Sequence, residues 1–185
     1  MTEVSLDHVP CLIRVPRPGD DKYSRGVLGM VTGSLAYPGA ALLGVTAAIH
    51  TGVGMVRYIG PSDVRAMVVS ARPEVVLGPG PVTALVIGSG FPDITREHLG
   101  EIVSFAADDT PAVFDAAAME HRRLLTGPAI VTPHQKELAR LADSLGAPDG
   151  DPVDRARFVA DHLEATVLLK GHTTHVVSPG GSVST

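Results

Sequence analysis

Tryptophan is absent from the 185 residues, and aromatic side chains make up only 4%. Stacking platforms of the kind that hold single-stranded nucleic acid are therefore not expected. Cysteine occurs once, as Cys11. An internal disulfide and a thiolate metal cluster are excluded, and a reducing, cytoplasmic compartment fits. Charged residues reach only 19% with a net charge of −5, and the longest basic run is the pair Arg122-Arg123. A nucleic-acid partner would need a basic stripe, so none is expected. Asp, Glu, Lys and Arg are all missing from Gly26 to Val56, a run of 31 residues. That is long enough on paper to cross a membrane. Its seven glycines and Pro38 cut it into shorter pieces, which read as a buried strand, a loop and a buried helix. The start of the chain does not show the basic-then-apolar order of a signal peptide.

What is present points to a folded α/β chain. Hydrophobic residues are 44%, which excludes intrinsic disorder. The length predicts one domain over 1–185, able to bury roughly 70% of its unfolded surface. Residues 1–21, with Pro10, Pro16 and Pro18, read as an irregular arm. Short apolar runs at 27–31, 55–59, 84–87, 112–114, 129–131 and 166–169 read as strands. Helical patterns lie between them, at 38–50, at 62–70 with Ser62 as N-cap, after Asp93 as a cap, around Leu138 and Leu141, and from Val153 to Leu163. Strands that are apolar throughout, alternating with helices, predict a mostly parallel sheet covered on both faces. The tail, from Thr174 through Pro179-Gly180-Gly181, reads as a hairpin whose second strand has barely begun.

Ligands of open parallel sheets bind beyond the strands' carboxyl ends. Here those ends are Thr32-Gly33-Ser34, Gly88-Ser89-Gly90, Asp115, Thr132-Pro133-His134 and Lys170-Gly171. Each is small, polar or chargeable. Asp115 could meet a cation or a hydroxyl, or simply cap a helix. His134 could hydrogen-bond a ligand or cap the helix it precedes. Lys170 beside Gly171 suits a phosphate. Ala40, Gly44 and Ala48 share one helix face, where a backbone or a flat ligand can come close.

Taken in order, these segments resemble the ADP- or ATP-dependent NAD(P)H-hydrate dehydratases. The matches are Lys22-Tyr23-Ser24-Arg25-Gly26, Tyr37-Pro38-Gly39-Ala40-Ala41, Thr51-Gly52-Val53-Gly54, Arg72-Pro73-Glu74, Ile87-Gly88-Ser89-Gly90-Phe91, Phe114-Asp115-Ala116-Ala117, Thr132-Pro133-His134-Gln135-Lys136-Glu137, and Lys170-Gly171 with Pro179-Gly180-Gly181. The resemblance implies a ribokinase-like three-layer α/β sandwich. It implies nucleotide-driven dehydration of hydrated NADH or NADPH. It assigns the hydrated cofactor to Ala40, Ala41, Gly52, Gly54 and His134, and the adenine nucleotide to Lys170, Gly171, His172, Thr173 and Thr174. Asp115 becomes a candidate substrate or cation contact. ADP or ATP with Mg2+ and a homo-oligomer, a tetramer being one option, are further implications. Ser89 stands where the family has Pro, and Ala117 where it has a second Asp. The family's Gly-x-Gly-Asp segment, with the catalytic Asp, is expected beyond Thr185, so the C-terminal part of the fold is expected to be missing. A vitamin-precursor kinase and a non-catalytic nucleotide-binding subunit remain the alternatives.

Overall fold

The computed structural model describes residues 15–185. They divide into two compact units, one built from Pro16–Pro128 and the other around Ala129–Thr185. Cys11 and most of the expected arm lie outside the described residues. From 15 to 26 there is neither strand nor helix.

The unit Pro16–Pro128 alternates strand and helix. Its elements are β1 (Val27–Val31), α1 (Pro38–His50), β2 (Met55–Tyr58), α2 (Ser62–Ala71), β3 (Val76–Leu77), β4 (Ala84–Ile87), α3 (Arg96–Val103), β5 (Ala112–Phe114) and a 3-10 helix (Ala116–Leu124). The strand order is β3-β2-β1-β4-β5, and every pairing is parallel. Registers such as Val27 with Met55 and Leu28 with Ala84 bring the strands' starts to one edge and their ends to the other. β1 is central, which explains a sequence without charge: Val27, Met30 and Val31 are almost fully buried. Gly29 is forced by crowding, since a Cβ there would sit 2.6 Å from Leu85 Cδ2.

Helix α1 opens on Pro38, which the first turn tolerates because its missing N–H would be unpaired anyway. Its small-residue face is used for packing. Gly44 lies against Met30, a Cβ there meeting its Cε at 2.9 Å. Ala41, Val45 and Ala48 join Met30, Val56, Tyr58, Val64, Val68 and Val75 in one buried apolar cluster.

The unit around Ala129–Thr185 contains β6 (Ala129–Val131), α4 (Gln135–Ser144), α5 (Pro152–Leu163), β7 (Thr166–Leu169), β8 (His175–Val177) and β9 (Val183–Ser184). β6 and β7 pair in parallel, while β7-β8 and β8-β9 are antiparallel. Helices α4 and α5 pack on each other, and α5 packs on β7 and β8. Asp151 caps α5, its Oδ1 accepting the amides of Val153 and Asp154 at 2.8 and 3.0 Å.

Three expectations shift. Asp93 does not cap α3. Thr95 does, its Oγ1 accepting His98 N–H at 3.2 Å, because the Ile94 carbonyl is held by His121 Nε2 at 2.7 Å and the helix starts only after it. Ser62 is the first residue of α2 and makes no side-chain cap; Pro61 holds the cap position. Strand β3 and the 3-10 helix have no counterpart among the expected elements.

Candidate functional site

In the unit Pro16–Pro128 the carboxyl ends of β1, β4 and β5 are tied together by short hydrogen bonds. Gly33 N–H donates to Ser89 O at 2.7 Å, and Gly88 N–H to Val31 O at 2.9 Å. Ser34 Oγ donates to Gly90 O at 2.7 Å. Asp115 N–H donates to Ile87 O at 2.9 Å. The amino-terminal end of α1 closes on the same place. A Cβ at Gly90 would stand 2.6 Å from Ala40 Cβ and 3.1 Å from Gly33 Cα, and one at Gly33 would stand 2.7 Å from Ala41 Cβ. Ala40 and Ala41, in the first turn of α1, therefore lie at the strand-end edge, Ala41 fully buried, and the dipole of this helix start favours negative charge.

Asp115 occupies the cap position of the 3-10 helix but its carboxylate makes no cap bond there. Oδ2 instead accepts from Ser89 Oγ at 2.8 Å. The next residue, Ala116, has φ +49°, a left-handed conformation that costs a non-glycine residue roughly 1–2 kcal/mol. This turn aims β5's exit back across the strand ends.

Gly52 and Gly54 lie apart from these strand ends. They follow the carboxyl end of α1 and precede β2, so they lie at the opposite, amino-terminal edge of the parallel strands. Thirteen residues of α1 separate the two edges, on the order of 20 Å of helix. Both glycines serve the loop before β1. Arg25 Nη2 donates to the Gly52 carbonyl, and a Cβ on Gly54 would collide with the Lys22 carbonyl. The glycine that meets Ala40 is Gly90. The Gly88-Ser89-Gly90 turn was visible as a strand end, and that placement was the signal favouring it over a Gly-x-Gly at a helix exit.

In the unit around Ala129–Thr185, His134 and Lys170 stand side by side. They form a parallel bridge beyond the ends of β6 and β7, with Lys170 N–H donating to Pro133 O at 2.9 Å. Residues 170–174, all exposed, make the connection between antiparallel β7 and β8. Gly171, His172, Thr173 and Thr174 are thus gathered in one hairpin loop beside His134. His134 also caps α4. Its Nδ1 accepts the amides of Lys136 and Glu137 at 3.1 and 3.3 Å, and Glu137 Oε2 accepts His134 N–H at 2.8 Å. This reciprocal capping box makes Glu137 a part of the site that sequence reasoning had noted only as a motif letter. Among the described residues no cluster of three or more His, Cys, Asp or Glu could hold a metal ion.

Parallel strands alternating with helices make this an α/β protein, and its structural matches make the fold ribokinase-like. An ADP/ATP-dependent NAD(P)H-hydrate dehydratase from Bacillus subtilis, crystallised with ATP and Mg2+, matches the fold with a TM-score of 0.80 and 25% identity, covering 96% of this chain and 69% of that one. A ribokinase-like superfamily protein from Enterococcus faecalis matches with a TM-score of 0.79 at 20% identity, covering 99% of this chain and 70% of that one. Residues 28–185 match the NAD(P)H-hydrate dehydratase family model, and the chain belongs to that family. The bifunctional NAD(P)H-hydrate repair enzyme Nnr of Mycobacterium tuberculosis is 44% identical over 91% of this chain and 37% of its own length. The ADP-dependent (S)-NAD(P)H-hydrate dehydratase of Xanthomonas campestris is 30% identical over 91% of this chain and 66% of its own length. The chain thus spans little more than a third of the first relative and about two thirds of the second.

Proposed function

We propose that the chain carries the binding edge of an adenine-nucleotide-dependent dehydratase that returns hydrated NADH or NADPH to the reduced cofactor. The nucleotide activates the hydroxyl of the hydrate, and elimination restores the dihydropyridine ring. The observation that carries this is the bridge between His134 and Lys170. It sets an imidazole next to a cationic, glycine-containing loop at adjoining strand ends, in a chain of this family. Lys170 to Thr174 are assigned to the adenine nucleotide, either ADP or ATP. Within the unit Pro16–Pro128 the hydrated cofactor is assigned to Ala40, with Gly90 in the place first given to Gly52 and Gly54 and Asp115 with Ser89 as a polar contact. Ala41 is fully buried behind Ala40 in the helix. Within the other unit His134 is assigned to the hydrated cofactor as a separate reading. Any Mg2+ would be held chiefly by the nucleotide's own phosphates, since the described residues provide no cluster for it. No helix among the described residues is long and apolar enough to cross a membrane. Cytoplasmic residence, a single domain and a homo-oligomeric state complete the proposal.

Calorimetric titration with ADP and with hydrated NADPH tests it. Lys170→Ala with Gly171→Val is expected to weaken ADP and spare hydrated NADPH. Ala40→Leu is expected to do the reverse. Equal ADP affinity in the wild type and the double variant would remove the nucleotide assignment.

A further inference from the structure

We infer that His134 divides its two ring nitrogens between fold and ligand. Nδ1 is committed to the first turn of α4, so the neutral ring carries its proton on Nε2 and meets a ligand only as a donor to an acceptor oxygen, with Glu137 as the positioning residue. This rests on the reading of His134 as a cofactor contact, and it adds which chemical face of the cofactor can sit there.

The geometry fixes the roles. Backbone amides can only donate, and two of them, from Lys136 and Glu137, point at Nδ1 from 3.1 and 3.3 Å. A proton on Nδ1 would set donor against donor and leave both amides of the helix start without their acceptor. The remaining proton of a neutral imidazole therefore belongs to Nε2. Glu137 reinforces this. Its Oε2 accepts the His134 amide at 2.8 Å and stands 3.5 Å from Nε2. The first contact fixes the backbone that carries the ring. The second is too long for a strong hydrogen bond, so it biases the proton toward Nε2 without using it up. The His134 side chain is 50% exposed and that of Glu137 only 15%, so the clamp is sheltered and the imidazole remains reachable.

The consequence is a selection rule. A carbonyl, hydroxyl or phosphate oxygen is accepted at Nε2. An N–H group is refused, because it would bring two donors face to face. A nicotinamide carboxamide facing His134 must turn its oxygen, not its NH2, toward the ring.

The test is a long-range proton–nitrogen correlation spectrum of the histidine rings in the nitrogen-15-labelled chain, recorded where His134 is neutral. The His134 signals are assigned by their loss in His134→Asn. The expected spectrum shows a bare Nδ1 and a protonated Nε2. Glu137→Gln, which keeps an acceptor oxygen, is expected to preserve that pattern, and Glu137→Ala to mix the two tautomers. A protonated Nδ1 in the wild type overturns the inference, and an unchanged spectrum in Glu137→Ala overturns the role of Glu137. Asn keeps a cap acceptor but has no Nε2 donor. His134→Asn is thus expected to keep the melting temperature while weakening hydrated NADPH roughly tenfold by calorimetry. Unchanged affinity in that variant overturns the ligand half. If the wild type binds no hydrated NADPH, the cofactor reading fails, while the ring spectrum still decides the tautomer.

Discussion

Tyr58 puts a hydroxyl in the apolar cluster under α1 and satisfies it with one bond, to Thr32 O at 2.7 Å. Thr32 is the last buried residue before the Gly33-Ser34 turn, so that bond holds β1's exit in place. Tyr58→Phe leaves the Thr32 carbonyl without this donor and is expected to cost about 1–3 kcal/mol at neutral pH, read from urea unfolding. The pH dependence has a definite sign. Burial pushes the Tyr58 phenol up to about 12 from its ordinary 10.0. Below pH 10 both states are neutral and the stability is intact. Between pH 10 and about 12 the unfolded phenol ionises first, and the native state should lose about 2–3 kcal/mol. Tyr58→Phe should remove that part of the alkaline loss. Two glycines separate site from scaffold in the same way. Gly90→Ala, at φ +82° with its Cβ against Ala40, is expected to weaken hydrated NADPH by about tenfold or more, the equivalent of about 1.4 kcal/mol. Gly54→Ala, which collides with Lys22 instead, should cost about 1–3 kcal/mol of stability and leave the affinity of the folded protein unchanged. A Gly54→Ala variant that folds normally but loses the ligand would restore the first assignment.

The elements divide by how much local chemistry they carry. β1, β4, β5, β6 and β7 are apolar runs closed by glycine, aspartate or proline, and they sit where that pattern put them. Helix α1 begins at Pro38 and ends at His50, as Pro38-Gly39 and Gly52 indicate. Strand β3 has two exposed residues and pairs only with β2; nothing in Val76-Leu77 distinguishes it from a loop. The 3-10 helix was missed for a different reason. Asp115 stands at its cap position but makes no side-chain cap bond, and its far end is held by a buried side chain that bonds the backbone just after the helix. Arg122 is buried, with Nη1 donating to the Leu125 carbonyl and Nη2 to the Gly127 carbonyl at 3.2 Å. Arg122→Leu should strand those carbonyls and destabilise the protein by about 2–4 kcal/mol. Arg122→Lys should recover little of it, because one ammonium cannot span both acceptors as a planar fork does. Recovery to wild-type stability by Lys would show that charge rather than fork geometry matters.

At the scale of the whole molecule, what could be read in advance was the edge, more than the pairs within it. Five strand ends were polar or small, and the structure groups Thr32-Gly33-Ser34, Gly88-Ser89-Gly90 and Asp115 in one unit, and His134 with Lys170 in the other. Gly52 and Gly54 came from the resemblance, whereas a helix between two parallel strands exits at their amino-terminal edge, which sets these glycines apart from the strand ends that hold Ala40 and Gly90. If the proposed function holds, an acidic chain, −5 overall, binds an anionic nucleotide, and the attraction must be local. Lys170 with the exposed loop Gly171 to Thr174 is where the unit around Ala129–Thr185 offers it. Binding there should stabilise that unit by mass action. At a free ADP concentration a hundredfold above Kd the gain is about 2.7 kcal/mol. Hydrogen exchange should slow at residues 169–175, where the loop leaves β7 and enters β8, and through those two strands. Lys170→Ala with Gly171→Val should abolish both effects without changing exchange in the unit Pro16–Pro128. Protection by ADP that appears only in the unit Pro16–Pro128, or that survives the double substitution, would move the nucleotide away from the hairpin and leave the His134–Lys170 bridge as a structural contact.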